Sequence, residues 1–408
     1  MTILFGHPTG GPFSYHAALA HFEAGRLEAF CVPWLPSAQA VGLLAQVGTV
    51  WPTAKRLTRR EFPPLAAAPK IQGRLGEYRR LLIRALGRGD ESLSYEANDW
   101  LMRTMRRECR RAAVTAVHSY EDCSLWQFTE AKERGKACIY DMPIGYYSAW
   151  QKILPELSRR YADWMPAAGL PSSRYVRPEQ KRQEMDLADL VLAPSAFVAD
   201  TIREYLPAKK VALAPYAVDT RTWVPTAKQA PAEDAPKAKM TFLFVGQCSI
   251  RKGTPLLLEA WNAAGLKNAK LRLVGPWDLS DQKQKSLPPG AEWIAPVSRD
   301  LLQEYYRDAD VFVFPTFFEG RALVIGEALA SGLPVLTTRA SGADDLIDDT
   351  CGRIMPTGDL EALVECLRWF DRNRTQMSAM SRAARAQAEH CDWANYRRCV
   401  SEAVAPFV

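Results

Sequence analysis

The chain has no long hydrophobic run: no apolar stretch of its 408 residues reaches the roughly 18 that a bilayer-crossing helix requires. A membrane-spanning bundle is therefore not expected. The amino terminus, Met1-Thr-Ile-Leu-Phe5, lacks the basic flank of a secretory signal and runs straight into a Gly/Pro loop, so it reads as a first strand. Cysteine is sparse and dispersed. The nine residues between Cys31 and Cys399 form no C-x-x-C pair and no Cys/His ligand spacing. That argues against a disulfide framework and a structural zinc, and fits reduced thiols in a cytosol. There is no repeat of 20 to 50 residues, which excludes a solenoid.

What is present points to two units. A chain of 408 residues exceeds one ordinary core. The net charge of +6 is uneven: from Lys55 to Arg111 there are 15 Lys/Arg and 7 Asp/Glu, a local +8, which leaves −2 for the rest. Such a run is most often a solvated face. The sharper reading is a surface that meets anionic lipid or an anionic acceptor. No nucleic-acid-binding motif accompanies it, so nucleic acid is not an expected partner.

Hydrophobic patterning predicts strands at residues 3–6, 27–32, 113–118, 137–141, 189–194 and 211–215, with helical stretches at 14–24, 95–111 and 177–188. Residues 50–90, basic and dotted with Pro, read as irregular. Residues 225–239 are rich in Ala, Pro and Lys and read as a linker. A second series of strands follows at 241–246, 271–275, 293–295, 311–315 and 334–338. Strands alternating with helices in both halves predict an α/β chain of two doubly wound, Rossmann-like parallel sheets. The expected units are 1–224 and 240–385, with residues 386–408 forming a last helix that packs back on the first. Ligands of such sheets bind beyond the carboxyl ends of strands, which directs attention to the loops after Gly6, Val117, Gly246, Gly275 and Pro315.

The most informative stretch is Pro315-Thr-Phe-Phe-Glu-Gly-Arg-Ala-Leu-Val-Ile-Gly-Glu-Ala-Leu-Ala-Ser-Gly-Leu-Pro334. Glu319 falls in a loop and Glu327 inside a helix. A helical path would separate them by about 12 Å along the axis, too far for a shared proton and suited to two grips on one elongated ligand. Between them lie the first-turn N–H groups, roughly Gly320, Arg321, Ala322 and Leu323, which can hold phosphate.

This segment resembles the E-x7-E motif of retaining glycosyltransferases of GT-B architecture, the large nucleotide-sugar-dependent, family 4-like group 1. The match comprises Glu319-Gly320, Glu327-Ala328 and Ala330-Ser-Gly-Leu-Pro-Val335. The resemblance implies that Glu327 holds the donor ribose and Glu319 lies by the sugar and phosphate. It makes 1–224 the acceptor unit and 240–385 the donor unit. Phe244-Val-Gly-Gln-Cys-Ser-Ile-Arg-Lys-Gly253 agrees: Arg251 and Lys252 at a helix mouth can neutralise a departing diphosphate beside Gly246. Relatives carry a basic residue where Gln247 stands, so either Arg251 supplies that charge or the phosphate is held by fewer cations. Glu-Gly-Phe-Gly is usual where this chain has Glu-Gly-Arg-Ala. Arg321 is thus a candidate to meet an anionic donor or acceptor, and Ala322 leaves less room beside the sugar.

In the first half, Gly10 and Gly11 permit close backbone approach; in relatives a glycine loop here faces the donor. His118 ends a strand, where a His is often simply packed or hydrogen-bonded and where relatives place one near the transferred sugar. Glu121, Asp122 and Asp141 are strand-end carboxylates that can assist an acceptor. Pro276-Trp277 is a candidate flank for the nucleobase, and Ser341 to Leu346 a loop near the donor.

The expectation is a cytoplasmic, retaining transferase that moves a sugar from a nucleotide diphospho-sugar to a glycan, lipid-linked or small-molecule hydroxyl. It needs no metal or other cofactor, and its basic stretch is either a solvated face or one that lies against the inner membrane surface. Two alternatives stay open: a sugar-nucleotide epimerase on the same scaffold, and a non-catalytic nucleotide-sugar-binding protein. Nucleobase, sugar, acceptor and oligomeric state are not encoded in any motif.

Overall fold

The structure is a computed structural model and describes residues 2–47, 58–85, 92–166, 177–225 and 239–408. Two parallel sheets organise it. The first contains β1 (Thr2–Gly6), β2 (Leu27–Val32), β3 (Lys70–Gln72), β4 (Val114–Tyr120), β5 (Ala137–Asp141), β6 (Leu190–Ala193) and β7 (Val211–Leu213), in the order β3-β2-β1-β4-β5-β6-β7. The second contains β8 (Met240–Val245), β9 (Ala269–Val274), β10 (Ala291–Ile294), β11 (Val311–Phe314), β12 (Val335–Thr338) and β13 (Gly352–Met355), in the order β10-β9-β8-β11-β12-β13. Helices cover both faces, so the central strands are apolar without alternation: Val-Phe-Val-Phe of β11 is wholly buried. The strand order reverses between β1 and β4, and again between β8 and β11. These are the switch points at which loops diverge and leave a crevice.

Each sheet has its own core. Phe5, Phe30, Phe128 and Tyr140 fill the first, and Phe242, Phe244, Phe312 and Phe314 the second. The last helix, Trp393–Val404, lies in sequence beyond the second sheet yet packs on the first. Tyr396, Val400 and Val404 are part of the first core. Trp393 stacks on His16 at 4.3 Å, and Arg397 meets Glu23 at 2.9 Å. The chain thus passes between the units twice, and the passes touch: the Val218 N–H donates to the Cys391 carbonyl at 3.2 Å.

The structure departs from the sequence reading in two respects. The stretch expected to be irregular, 50–90, contains β3 and the helix Arg74–Ala85. Its arginine density hid the period, because Glu77 and Arg80 are buried as an ion pair at 2.6 Å, with Arg60 on the same carboxylate. The short β13 and the helices Leu125–Glu133, Tyr147–Arg160 and Ala196–Tyr205 also went unread. Of the expected linker 225–239, residues 226–238 lie outside the described residues, as do Lys55, Arg56 and Arg88. Among the described residues no helix is long and apolar enough to cross a membrane.

Candidate active site

β8 ends at Gly246 and β9 at Gly275, both at positive φ (145° and 144°). A Cβ on Gly275 would stand 2.1 Å from the Gly246 carbonyl oxygen, so these strand ends run in contact and only glycine fits. The loop after Gly246 is zipped to the loop after β11. The Arg251 carbonyl accepts from the Phe317 N–H at 2.9 Å and the Thr316 hydroxyl at 3.1 Å, and Gly253 packs against the Pro315 backbone.

This join brings three charges together. Lys252 Nζ lies 2.6 Å from Glu319 Oε1, and Arg251 Nη1 lies 2.8 Å from the same oxygen while donating to the Phe318 carbonyl at 2.7 Å. Burial pushes the Lys252 ammonium down, and the Glu319 carboxylate opposes that shift. Two cations on one carboxylate leave a net positive charge in a partly desolvated crevice, which suits an anion. Gln247 turns away and donates to Asp278 at 2.8 Å.

The helix Leu323–Ala330 begins beside this cluster. Its N-cap, Ala322, has no side chain to satisfy the first-turn donors. The Ala322 N–H itself is already taken by the Ser341 carbonyl at 3.0 Å, which corrects the expectation that it is free to bind phosphate. Glu327, one turn into the helix, accepts from the Tyr306 hydroxyl at 3.1 Å. Burial pushes its carboxyl up to about 7, with the Tyr306 bond and Arg299 opposing. Glu319 and Glu327 thus have separate partners, as two separate grips require.

The first unit supplies the facing wall. The Gly145 N–H donates to the Glu319 carbonyl at 3.3 Å and the Ser195 hydroxyl to the Gly320 carbonyl at 2.6 Å. A Cβ on Gly320 would stand 1.7 Å from the Pro143 carbonyl oxygen. Phe318 reaches across to Trp150 and Phe197, each at 5.5 Å, and Leu323 packs on the first core. After β1, Gly10 takes φ +73° and Gly11 caps the helix Pro12–Glu23. His7, which the sequence reading missed, holds this turn: its Nδ1 accepts from the Gly10 N–H at 2.8 Å and the Thr9 N–H at 3.1 Å. Burial pushes His7 down to about 3, keeping it neutral and able to accept. Ser195, Phe318 and Tyr306 also had no motif to mark them.

Two expectations are corrected. Arg321 does not offer its charge to a ligand. It is buried; Nε donates to the Tyr216 carbonyl at 2.9 Å, Nη1 to the Gly342 carbonyl at 3.2 Å, and both Nη atoms pair with Asp345 at 2.7 and 3.1 Å. Its Nη2 also reaches the Cys391 sulfur at 3.9 Å, so Arg321 ties the glutamate loop to both passes between the units. His118 is wholly buried inside the first sheet, not on the crevice. Its Nδ1 pairs with His21 Nε2 at 2.9 Å, and burial pushes it down to about 3.

The other strand-end carboxylates are committed to protein partners. Glu121 and Asp122 pair with Lys181 at 2.8 and 2.9 Å. Asp141 accepts from the Tyr216 hydroxyl at 3.1 Å, and burial pushes it up to about 7. Trp277 packs edge-on against Trp293 and donates to the Ser280 carbonyl at 3.2 Å.

Residues 239–372, which hold β8 to β13 and this charge cluster, match the family model described as Glycosyl transferases group 1. In its second half the chain is thus similar to the group 1 glycosyltransferases. It is similar to the sulfoquinovosyl transferase SQD2 of Arabidopsis thaliana, 28% identical over 219 residues, covering 50% of this chain and 42% of that protein. A D-inositol 3-phosphate glycosyltransferase of Pseudarthrobacter chlorophenolicus is 30% identical over 244 residues, covering 53% and 57%. The chain thus spans about half the length of these curated members of the group. The whole fold superposes on solved GT-B glycosyltransferases. Sucrose-phosphate synthase from Thermosynechococcus elongatus gives a TM-score of 0.66 at 16% identity over 98% of this chain and 96% of that one. HepE of Anabaena, solved with UDP-glucose, gives 0.61 at 13% identity over 100% of both. The architecture is GT-B, two α/β units facing a crevice.

Proposed function

We propose that the chain transfers a sugar from a nucleotide diphospho-sugar to a hydroxyl acceptor with retention at the anomeric carbon. One observation carries the reading: Arg251 and Lys252 converge on a single oxygen of Glu319 beside the uncapped helix Leu323–Ala330. The diphosphate takes the cations over from Glu319 as negative charge grows on the leaving group. The bond from the anomeric carbon to the phosphate oxygen breaks, and the acceptor oxygen forms its bond on the same face. The acceptor proton passes to the departing phosphate oxygen. Charge stabilisation comes from the two cations and the helix dipole, so the reaction is proposed to run without a metal. Glu327 accepts from the ribose hydroxyls in exchange for Tyr306.

HepE of Anabaena is solved with UDP-glucose, and the Pseudarthrobacter relative is a D-inositol 3-phosphate glycosyltransferase; both support this donor and acceptor chemistry. The test is a panel of nucleoside diphospho-sugars with hydroxyl acceptors, scoring diphosphate release and, by NMR, the anomeric configuration of the product. An inverted product overturns retention, isomerised donor without acceptor makes the chain an epimerase, and tight donor binding without turnover makes it a binding protein. Undiminished turnover with added chelator is expected.

A further inference from the structure

The helix Tyr147–Arg160 begins in the first unit and ends in the second. Near its start Gly145 donates to the Glu319 carbonyl and Trp150 meets the Phe318 ring. Its far end does not turn back to the first sheet. Leu157, Tyr161 and Trp164 are buried in the core of the second unit, with the Tyr161 ring 6.2 Å from Phe317. Arg160 Nη1 donates to the Gly358 carbonyl at 3.0 Å. Asp163 pairs with Lys283, whose ammonium lies 4.6 Å from the centre of the Trp164 ring. By Met185 the chain is again in the first core. A helix of 14 residues spans about 21 Å, so one segment of the first unit reaches from the charge cluster to the loop after β9.

At that loop the contact is made by backbone. The Ser280 N–H donates to the Trp164 carbonyl at 2.9 Å, and the Trp277 indole donates to the Ser280 carbonyl at 3.2 Å. Further in, the Cys248 N–H donates to the Pro276 carbonyl at 2.7 Å, and the Asp278 N–H to the Cys248 carbonyl at 3.0 Å. Arg251, in the same loop as Cys248, meets Glu319. The contacts close a ring: from Glu319 along the helix to Trp164, across Ser280 and Cys248, and through Arg251 back to Glu319. A nucleotide with its diphosphate at Arg251 and Lys252 can lay its base on the loop after β9, because β9 lies beside β8.

We propose that Trp164 is a positioning residue for the nucleobase: its carbonyl, carried on a strut from the first unit, fixes residues 276–280 where the base binds. This role rests on the nucleotide-sugar donor proposed above. A loop ordered before the ligand arrives leaves its ordering cost out of the binding free energy. Affinity for the nucleoside part of the donor, made in the second unit, is thus set in part by the first.

The test is Ser280→Pro. Ser280 has φ −55°, which proline adopts, so the change removes the N–H and sets the ring against the Trp164 carbonyl. The Ser280 carbonyl that Trp277 uses is kept. Ser280→Ala keeps the N–H and serves as the control. Each full chain is titrated by calorimetry with UDP, GDP, ADP and inorganic pyrophosphate. Ser280→Pro is expected to lose about tenfold in affinity for the nucleoside diphosphate that binds the parent. Pyrophosphate affinity is expected to stay unchanged, since Arg251 and Lys252 are untouched, and Ser280→Ala to match the parent. An equal loss for pyrophosphate means general damage to the site and overturns the role, as does undiminished nucleotide affinity in Ser280→Pro. If Ser280→Pro does not fold, Asp163→Lys, at a side chain 66% exposed, opens the same contact by facing Lys283 with a like charge. A nucleotide affinity about threefold lower is then expected, and one equal to the parent overturns the role. A parent that binds no nucleoside diphosphate overturns the donor chemistry together with this role, whereas unchanged variants of a parent that binds overturn this role alone.

Discussion

Polar side chains gather at the carboxyl ends of the central strands in both units, and the two gatherings behave differently. At the end of β5, Asp141 is sealed in the core with Tyr216 and with His118 of β4, two residues short of that strand's end, and burial drives His118 down to about 3 and Asp141 up to about 7, toward uncharged forms. At β8 and β11, Arg251, Lys252 and Glu319 keep side-chain exposures of 30, 16 and 13% and share their charges. A strand-end position is thus not enough to make a reactive group. Access decides: a charge that can exchange its partner for a ligand can stabilise a leaving group, whereas a sealed group holds only its own fold.

The sharpest way to break this contrast is Lys252→Met, which keeps the stem and removes the cation. The expected loss in kcat/KM is about 10²–10³-fold, measured as nucleoside diphosphate release. A loss below tenfold would place the leaving group elsewhere. Next, Arg321→Met removes a buried cation from the loop that carries Glu319. Because Asp345 is half exposed, a cost of about 2 kcal/mol is expected, read as a Tm lowered by several degrees.

Glu327 sharpens the comparison by pH. Its raised pKa means that the protonated form is favoured in the free protein, so its contribution to stability is present at low pH and is lost as pH rises from about 4.5 toward 7. Accepting from ribose needs the carboxylate. Nucleotide affinity should therefore rise as pH climbs through about 7, by at most about tenfold per unit, and Glu327→Gln should flatten that slope in titration calorimetry. The smallest effect is expected for His118→Gln: kcat within about threefold of the parent, with a destabilisation of about 1–3 kcal/mol seen in thermal melts. A collapse in kcat at unchanged stability would return His118 to the reaction.

The donor side was legible because its signals are contiguous. Glu319, the helix and Glu327 follow one another in nine residues, and Lys252 follows the strand next to theirs in the sheet. Arg321 shows the limit. Its side chain looked like a ligand contact because its partners, Tyr216, Asp345 and Cys391, are scattered along the chain. His118 was misplaced for a related reason: residue 118 is where β4 is still inside the sheet, paired with Phe5, and the strand runs on to Tyr120. His7 left a faint signal, a strand-end His followed by Pro-Thr-Gly-Gly, of which it gathers the Thr9 and Gly10 N–H groups. The helix Arg74–Ala85 escaped because its buried positions are charged, which inverts the pattern on which sequence reading depends.

The contact of Val218 with Cys391 and the placement of Trp393–Val404 have a consequence for synthesis. The second unit is a guest inserted between two pieces of its host, with its entry and exit side by side. On the ribosome β1 to β7 of the host emerge before the guest, but Tyr396, Val400 and Val404 of its core emerge only after it. The guest, continuous in sequence, can close its own core while the host still waits with an apolar groove open beside helix Pro12–Glu23. The first unit to be made is thus the last to be finished, and the interval in which its groove stands open is when the growing chain most needs protection from aggregation.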